Sequence, residues 1–226
     1  MKRWLTLALA GLLGAASSAD AQTAADYDYE NLTFRGIGAD WGYIWPSKVV
    51  PTETYSLRMD LGFLGPGVRI APSISYWSST IRTRELARLA GQLNRLPALR
   101  DREVTIQPNE LGEIAWSDLS LSVDAHLVWT TPINVFTYIG AGIGLHALNG
   151  KGSAVESTFI EDLLDSTSGA IAFMAGIEAQ ATQRVRVFGE GRYTLVSDLK
   201  YPGFRVGAAL MLPTRATPAG GTQGER

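Results

Sequence analysis

Cysteine is absent from this sequence of 226 residues, which excludes a disulfide framework and every cysteine-ligated zinc or iron–sulfur centre. Charge is also scarce, because only 19% of the residues are charged, against about 25% in an average protein. The formal net charge of -2 provides no electrostatic attraction to nucleic acid, so we expect no nucleic-acid partner. An apolar content of 46% is sufficient for a folded core and argues against a disordered chain.

Long apolar runs are missing after residue 22, so the sequence offers no transmembrane helix there, which would need about 20 residues. The start of the chain, in contrast, does contain an apolar stretch, at 4–16. Lys2 and Arg3 precede this stretch, and the small residues Ala19 and Ala21 follow it. This pattern predicts a secretory signal peptide at 1–21 and a short N-terminal segment at 22–30. An N-terminal anchor helix is the alternative, but the apolar stretch is short for one.

The remaining sequence alternates with a period of two residues, which is typical of β-strands with one polar and one apolar face. Residues 118–129 show it most clearly, since Asp118, Ser120, Ser122, Asp124 and His126 alternate with Leu119, Leu121, Val123, Ala125 and Leu127. Similar alternation predicts eight strands, at 34–45, 55–63, 68–77, 118–129, 135–147, 170–181, 184–196 and 204–212. Most are longer than the five or six residues usual in soluble proteins and match the roughly 9–11 of a membrane-crossing strand.

The predicted connections differ in length at the two ends of the strands. Short turns lie at 65–67, 131–133 and 182–183, and longer loops at 46–53, 78–115, 149–168 and 197–203. Short turns on one side and long loops on the other are typical of bacterial outer-membrane barrels, in which both chain ends would lie on the periplasmic side.

Alternation alone leaves open which face points inward. A soluble sandwich or lipocalin buries its apolar face, whereas a membrane barrel exposes it to lipid. The polar faces carry six acids and five arginines but no lysine, which favours paired charges inside a narrow lumen. Aromatic residues near both strand ends favour the membrane interpretation. We assign one belt to Trp45, Tyr55, Tyr76, Trp77, Trp116 and Tyr201, and the other to Phe34, Phe63, Trp129 and Phe136.

The signal segment, the eight alternating strands and the unequal connections together resemble the small eight-stranded outer-membrane barrels of the OmpA and OmpX kind. The resemblance implies an all-β, antiparallel up-and-down transmembrane barrel at 31–212, in the outer membrane of a Gram-negative cell envelope. It also implies the outer-membrane assembly machinery as a partner. Family members usually end on an aromatic residue of the last strand, but this chain continues into a flexible tail at 213–226. The assembly signal is therefore in doubt, or lies in the internal stretch 204–212.

The polar faces supply the candidate site residues, which we interpret as a charge network filling a lumen only wide enough for side chains. They are Asp40, Arg58, Asp60, Arg69, Asp118, Asp124, His126, His146, Glu178, Arg186, Glu190, Arg192 and Arg205. The simplest register across the turn at 131–133 places Asp118 opposite His146 and His126 opposite Tyr138.

These residues do not predict catalysis. Ser122, Asp124 and His126 could suggest a hydrolase triad, but they share a strand face, and no nucleophile-elbow motif is present. His126 and His146 would lie about 25 Å apart along the strands, too far to share a metal ion. We therefore expect no catalytic residues, metal or cofactor.

The two longest loops carry opposite charge. Residues 82–102 are predicted to form a basic amphipathic helix inserted in the second outer loop, and residues 151–168 are acidic. The two segments could pack together over the barrel mouth, or the helix could bind lipopolysaccharide phosphates, or both could be solvated loops.

The sequence thus predicts a porin-like integral outer-membrane barrel, a monomer surrounded by outer-membrane lipid, with a structural or adhesive surface role and no enzymatic activity. One alternative is a secreted lipocalin-like carrier of a small apolar ligand. Another is a membrane-embedded lipid-modifying hydrolase.

Overall fold

The computed structural model describes residues 32–65, 67–95, 106–107, 109, 111–131, 135–152, 166–197 and 199–212. Its elements, in chain order, are β1 (Leu32–Ile44), β2 (Thr52–Gly65), β3 (Val68–Thr80), α1 (Thr83–Leu93), β4 (Ala115–Thr130), β5 (Val135–Lys151), β6 (Ser166–Gln180), β7 (Val185–Val196) and β8 (Lys200–Met211). Neighbouring strands pair antiparallel, and β1 also pairs with β8, which closes the barrel. The predicted eight-stranded up-and-down barrel with a helical insertion is confirmed.

The polarity of the barrel is inverted relative to a soluble protein. Leu121 and Ile143 lie on the outside with 58% and 70% of their surface exposed, whereas Asp124 and Glu190 lie inside at 0% and 3%. The apolar faces therefore point outward on every strand and the charged faces point toward the axis. A lipocalin-like carrier requires the opposite orientation.

One predicted loop is wrong. The connection between β7 and β8 was expected at 197–203, but β8 already begins at Lys200, and the Val196 N–H donates to Leu199 O at 2.8 Å. The Pro202–Gly203 pair indicates a turn in sequence. In the barrel, Pro202 pairs with Tyr193, and its carbonyl accepts a hydrogen bond from the Trp45 N–H at 3.0 Å. Proline is tolerated here because it lies near the start of β8, at a level where β1 has already ended at Ile44.

The predicted helix is shorter than expected in the described chain. It covers Thr83–Leu93 rather than 82–102, and its buried face comprises Leu86, Ala90 and Leu93. Asn94 follows the helix, and its side chain accepts from the Ile106 N–H at 2.8 Å and donates to Ile106 O at 2.9 Å. This pair of hydrogen bonds holds the returning chain against the helix end. Among the residues described, no helix combines the length and apolar character needed to cross a bilayer.

Several predictions concern residues outside the described chain. They are the signal peptide at 1–21, the segment at 22–30, the tail at 213–226, the distal part of the basic helix at 96–102, and the acidic stretch at 153–165. The packing of the two charged loops against each other therefore stays a prediction.

Glycines on the inner face make room for large lumen side chains. A Cβ atom at Gly176 would collide with the ring of Tyr138, which faces it across the β5–β6 pair, and would approach Gly189 O at 2.8 Å. A side chain at Gly142 would likewise collide with the carboxylate of Asp124. The glycines of β5 and β6 thus determine how much of the lumen the neighbouring rings and charges can occupy.

We expect Gly176→Val to destabilise the barrel by about 1–3 kcal/mol, because the added methyl groups overpack the lumen against Tyr138. Urea unfolding of the protein folded in lipid vesicles measures the effect. Gly189→Ala is the matched control, since a Cβ atom there meets nothing within 4 Å. Equal stability of the two variants would contradict this role of Gly176.

Candidate functional site: the barrel interior and its capped mouth

Glu190 is the centre of one of two ionic clusters of equal size inside the described barrel. Its Oε2 accepts hydrogen bonds from Arg58 Nη2 at 2.8 Å and from the Tyr138 hydroxyl at 2.9 Å. Arg192 lies 3.7 Å from Glu190 Oε1 and donates to both carboxylate oxygens of Asp124, at 2.7 and 3.0 Å. The bidentate geometry and the burial of all these charges make this cluster a rigid crosslink between distant strands.

Glu178 forms a second cluster, nearer the short-turn end. It accepts hydrogen bonds from Arg69 at 2.8 Å and from Arg186 at 3.0 Å. Arg69 also lies 3.9 Å from Asp60 and places Nη2 3.3 Å from His126 Nδ1. One carboxylate thus holds two guanidinium groups, and a second carboxylate approaches from a neighbouring strand.

Rings join these two clusters. His126 stacks on Tyr138 with 4.6 Å between ring centroids, and Arg69 lies 5.3 Å from the centroid of the same tyrosine. Arg58 stands over the ring of Phe188 at 4.5 Å. Planar guanidinium groups can stack on a ring and pair with a carboxylate at once, which explains why the lumen uses arginine rather than lysine.

The remaining candidates lie nearer the long-loop end, which we call the mouth. Asp118 Oδ2 lies 2.7 Å from His146 Nδ1 and accepts a hydrogen bond from Trp77 Nε1 at 2.9 Å. Arg205 and Asp40 approach only to 4.0 Å and make no mutual hydrogen bond. The structure therefore brings all thirteen predicted residues into the interior, but it places them in separate groups rather than in one continuous network.

The predicted register across the β4–β5 turn is off by two residues, because Ser120, not Asp118, faces His146, and His126 faces Gly140. The contacts of Asp118 with His146 and of His126 with Tyr138 still form, since long side chains reach diagonal partners on a neighbouring strand.

No hydrolase triad is assembled from the three residues considered for one. Ser122 contacts Ser73 at 2.9 Å, Asp124 pairs with Arg192, and His126 lies against Arg69. Within the described residues, no group of three or more metal-ligating side chains could hold an ion.

An apolar layer, which we call the cap core, occupies the mouth. Leu86, Ala90 and Leu93 of α1 pack there on inward-facing residues at the ends of six strands and on three connections. The other buried members are Ile44, Val49, Trp77, Ile81, Leu111, Ile114, Trp116, Leu148, Val196, Leu199 and Tyr201. Apolar side chains therefore fill the mouth.

Three aromatic residues assigned to the outer belt are in fact inside. Trp77, Trp116 and Tyr201 have 2%, 7% and 4% of their surface exposed and belong to the cap core. Strand parity was the overlooked signal, because Trp77 shares its face with the buried Ser73 and Ser75. The same parity places Phe188, which the sequence analysis did not single out, beside Glu190.

The opposite end of the interior is more open. A small cavity of about 20 Å3, room for about one water molecule, lies against Arg58, Asp60, Arg69 and Glu178. Gly36 and Met211, at the short-turn ends of β1 and β8, also line it. In the described part of the chain the cap core thus covers the mouth, and the small cavity lies toward the short-turn end.

Comparison with known proteins supports the fold. No protein-family model and no curated protein sequence matches the chain. Neisserial surface protein A is similar in structure, with a TM-score of 0.50, 14% identity, and coverage of 79% of this chain and 97% of that one. For Ail of Yersinia pestis, solved with the heparin analogue sucrose octasulfate, the TM-score is 0.48 and the identity 11%, and the match covers 79% of this chain and 97% of Ail. For the N-terminal β-barrel domain of Pseudomonas aeruginosa OprF, the TM-score is 0.46 and the identity 11%, and the match covers 78% of this chain and 97% of that domain. The first similarity confirms the fold implied by the OmpA/OmpX resemblance.

Arg192→Ala should destabilise the barrel by about 3–5 kcal/mol, because it leaves the buried carboxylate of Asp124 without its cation. Urea unfolding in lipid vesicles measures this loss, with Arg184→Ala at an exposed turn as control. The double variant Asp124→Leu, Arg192→Met should recover part of the stability, since it removes both charges. A single variant as stable as the control would refute the ionic crosslink.

Leu93→Ala should loosen the cap core at a cost of about 2–5 kcal/mol, because a fully buried side chain is truncated. We expect faster tryptic cleavage after Arg84 and Arg88 and a red shift of tryptophan emission from Trp77 and Trp116. Gln92→Ala, on the exposed side of the same helix, is the control. Unchanged cleavage in Leu93→Ala would show that α1 is not held by this core.

Proposed function

We propose that this chain is an integral β-barrel protein of the bacterial outer membrane, with a structural or surface-interaction role and no enzymatic activity. The observation that carries the proposal is the inverted polarity of a closed barrel. In water, many large apolar side chains would be exposed all round the molecule, and hydrating them costs free energy. In a bilayer the acyl chains contact these side chains, so that cost does not arise. Closure satisfies the strand hydrogen bonds, so no sheet edge would face lipid.

Strand length supports a membrane-spanning location. The eight strands contain 12 to 17 residues, and a strand tilted by about 45° needs only about 9–11 residues to cross the hydrocarbon layer. Every strand can therefore cross and extend beyond the bilayer. The longer connections at the mouth would then lie outside the cell, and both chain ends on the periplasmic side.

The filled interior argues against bulk transport. Ionic clusters occupy the middle of the lumen, and the cap core occupies the mouth. Eight strands enclose little more than the volume of their own side chains. The functional surface is therefore the outer face and the mouth-end loops rather than the lumen.

Assembly and oligomeric state belong to the same proposal. We assign the signal read by the outer-membrane assembly machinery to the internal stretch 204–212, because it covers most of β8, the strand that closes the barrel on β1. We expect a monomer, since closure leaves no strand unpaired to template association.

Expression in a Gram-negative host tests the proposal. We expect the protein in the outer-membrane fraction, with faster gel mobility before heating than after, because the folded barrel resists detergent until it is boiled. Planar-bilayer recordings of the purified barrel should show no stable open channel. A protein that is monomeric in detergent-free buffer would overturn the membrane assignment, and a steady porin-size conductance would overturn the closed lumen.

A further inference from the structure

Among the described residues, exposed aromatic side chains near the mouth are concentrated on β8, β1, β2 and β3, with Tyr193 of β7 beside them. Trp41 on β1 faces Tyr55 on β2, which in turn faces Tyr76 on β3, and all three are exposed. Continued across β4 and β5, the same register row contains Leu119 and Ala147 instead. The outer face at the mouth therefore changes from aromatic to aliphatic at β4.

The aromatic side includes packed neighbours on β1 and β8. The ring of Trp41 lies 6.1 Å from that of Phe204, and the ring of Trp45 lies 6.0 Å from Phe204 and 5.3 Å from Tyr43. We call the exposed surface of β8, β1, β2 and β3 formed by these rings the aromatic arc. It contains Trp41, Tyr43, Trp45, Tyr55, Tyr76 and Phe204.

Basic residues lie directly above this arc. The Ser47 N–H donates to Lys200 O at 3.1 Å, and the Arg82 N–H donates to Lys48 O at 3.0 Å. These backbone contacts set the β7–β8 turn, the β1–β2 loop and the start of α1 side by side. Arg82 stabilises the arrangement, because its guanidinium donates to Val49 O at 2.7 Å and to Pro46 O at 3.1 Å.

Four bases on these segments remain available at the surface. Arg84 and Arg88 of α1 have 66% of their side chains exposed, and they share one acidic partner, Glu85. Lys48 is half-buried on the β1–β2 connection, and Lys200 is the exposed first residue of β8. We call Lys48, Lys200, Arg84 and Arg88 the basic rim. Two further acids on this side already have partners, since Glu53 accepts a hydrogen bond from the hydroxyl of Tyr55 and Glu113 accepts one from the hydroxyl of Thr80.

The order of these groups along the barrel matches the layers of a bilayer surface. Tyr43 faces Phe204, Trp45 is bonded to Pro202 two residues further, and Ser47 to Lys200 two residues beyond that. At roughly 3.3 Å per strand residue, Lys200 lies about 13 Å beyond Phe204 along the strand, and Trp45 lies between them. Aromatic side chains prefer the membrane interface, and lysine and arginine prefer the phosphate layer beyond it.

From this juxtaposition we propose that the basic rim and the aromatic arc together bind the phosphate-bearing headgroup of an outer-leaflet lipid on the β8–β1–β2–β3 side of the barrel. This inference rests on the proposed membrane location. It adds a binding partner, an outer-leaflet lipid, and the side of the barrel where that lipid binds. The guanidinium groups pair with phosphate oxygens, the rings contact the glycerol or sugar part of the headgroup, and the acyl chains lie along the apolar strands below.

The opposite side of the mouth provides a matched control. Lys151 ends β5 there, above the aliphatic positions Ala147 and Leu145. It has the same charge and also lies at the mouth end of a strand, but the outward positions below it on β5 carry no aromatic ring. A purely electrostatic attraction would use Lys151 as well as the basic rim, whereas the proposed site would not.

The test compares three proteins folded in neutral detergent: the wild type, the quadruple variant Lys48→Gln, Lys200→Gln, Arg84→Gln, Arg88→Gln, and the control Lys151→Gln. Each is titrated with fluorescent bis-phosphorylated lipid A, with phosphatidylglycerol, and with dephosphorylated lipid A. At about 1 kcal/mol per interfacial base, we expect at least a tenfold weaker binding of phosphate-bearing lipid by the quadruple variant and no change in the control. The two phosphate-bearing lipids distinguish a glycolipid from a phospholipid headgroup.

Several outcomes would overturn the site. They are equal binding by wild type and quadruple variant, a loss of about fivefold in Lys151→Gln, which is what one interfacial base contributes by charge alone, undiminished binding of dephosphorylated lipid A, or tighter binding of soluble sucrose octasulfate than of either lipid. Trp45→Ala serves as a second variant, which should weaken lipid binding without removing any charge. Heat-modifiable gel mobility is recorded for every sample. A folded barrel that fails to bind refutes only this site, whereas failure of the wild type to reach the outer membrane refutes the proposed function.

Discussion

Closure of the sheet between β1 and β8 is the constraint on which the rest of the structure depends. Once every strand is paired on both sides, the two-residue period of the backbone sends alternate side chains to the axis and to the surroundings. Two environments of opposite polarity follow from one geometric rule. The outside becomes a continuous apolar belt, and every charge on the other face has to find its partner within a narrow tube.

The interior meets that demand by combining charge pairing with shape. Glu190 and Glu178 each serve more than one cation, and Tyr138 and His126 fill the space between the two clusters. Such pairing compensates desolvation rather than adding large net stability, so its value lies in holding distant strands in one arrangement. Inner-face glycines such as Gly142 and Gly176 are also required, because they have no side chain and so leave space for the neighbouring ring of Tyr138 and carboxylate of Asp124.

The two ends of the barrel are built differently, and this difference points to where interactions occur. Residues of α1 and of the strand ends cover the mouth with apolar contacts, while a small cavity beside Arg58, Asp60, Arg69 and Glu178 lies toward the short-turn end. A helix held by its apolar face presents its arginines outward. The interior is thus filled with side chains, and the barrel contacts its surroundings through its outer face and through the residues at the mouth.

Strand number, alternation and the identity of the charged face could be predicted from the sequence, because strand parity is a local property of residues such as those from Asp118 to His126. The direction of the faces was inferred from the balance of charge, and the closed barrel confirms it. Other features depend on neighbours distant in sequence. Pro202 lies within a strand because the chain pairs on either side of it, with β7 and with Trp45 after β1. Strand parity places Trp77, Trp116 and Tyr201 on the inner face, but they belong to an apolar core because α1 packs over the mouth. Local pattern determines which residues share a face, but only closure and the folding of the second loop decide what each face meets.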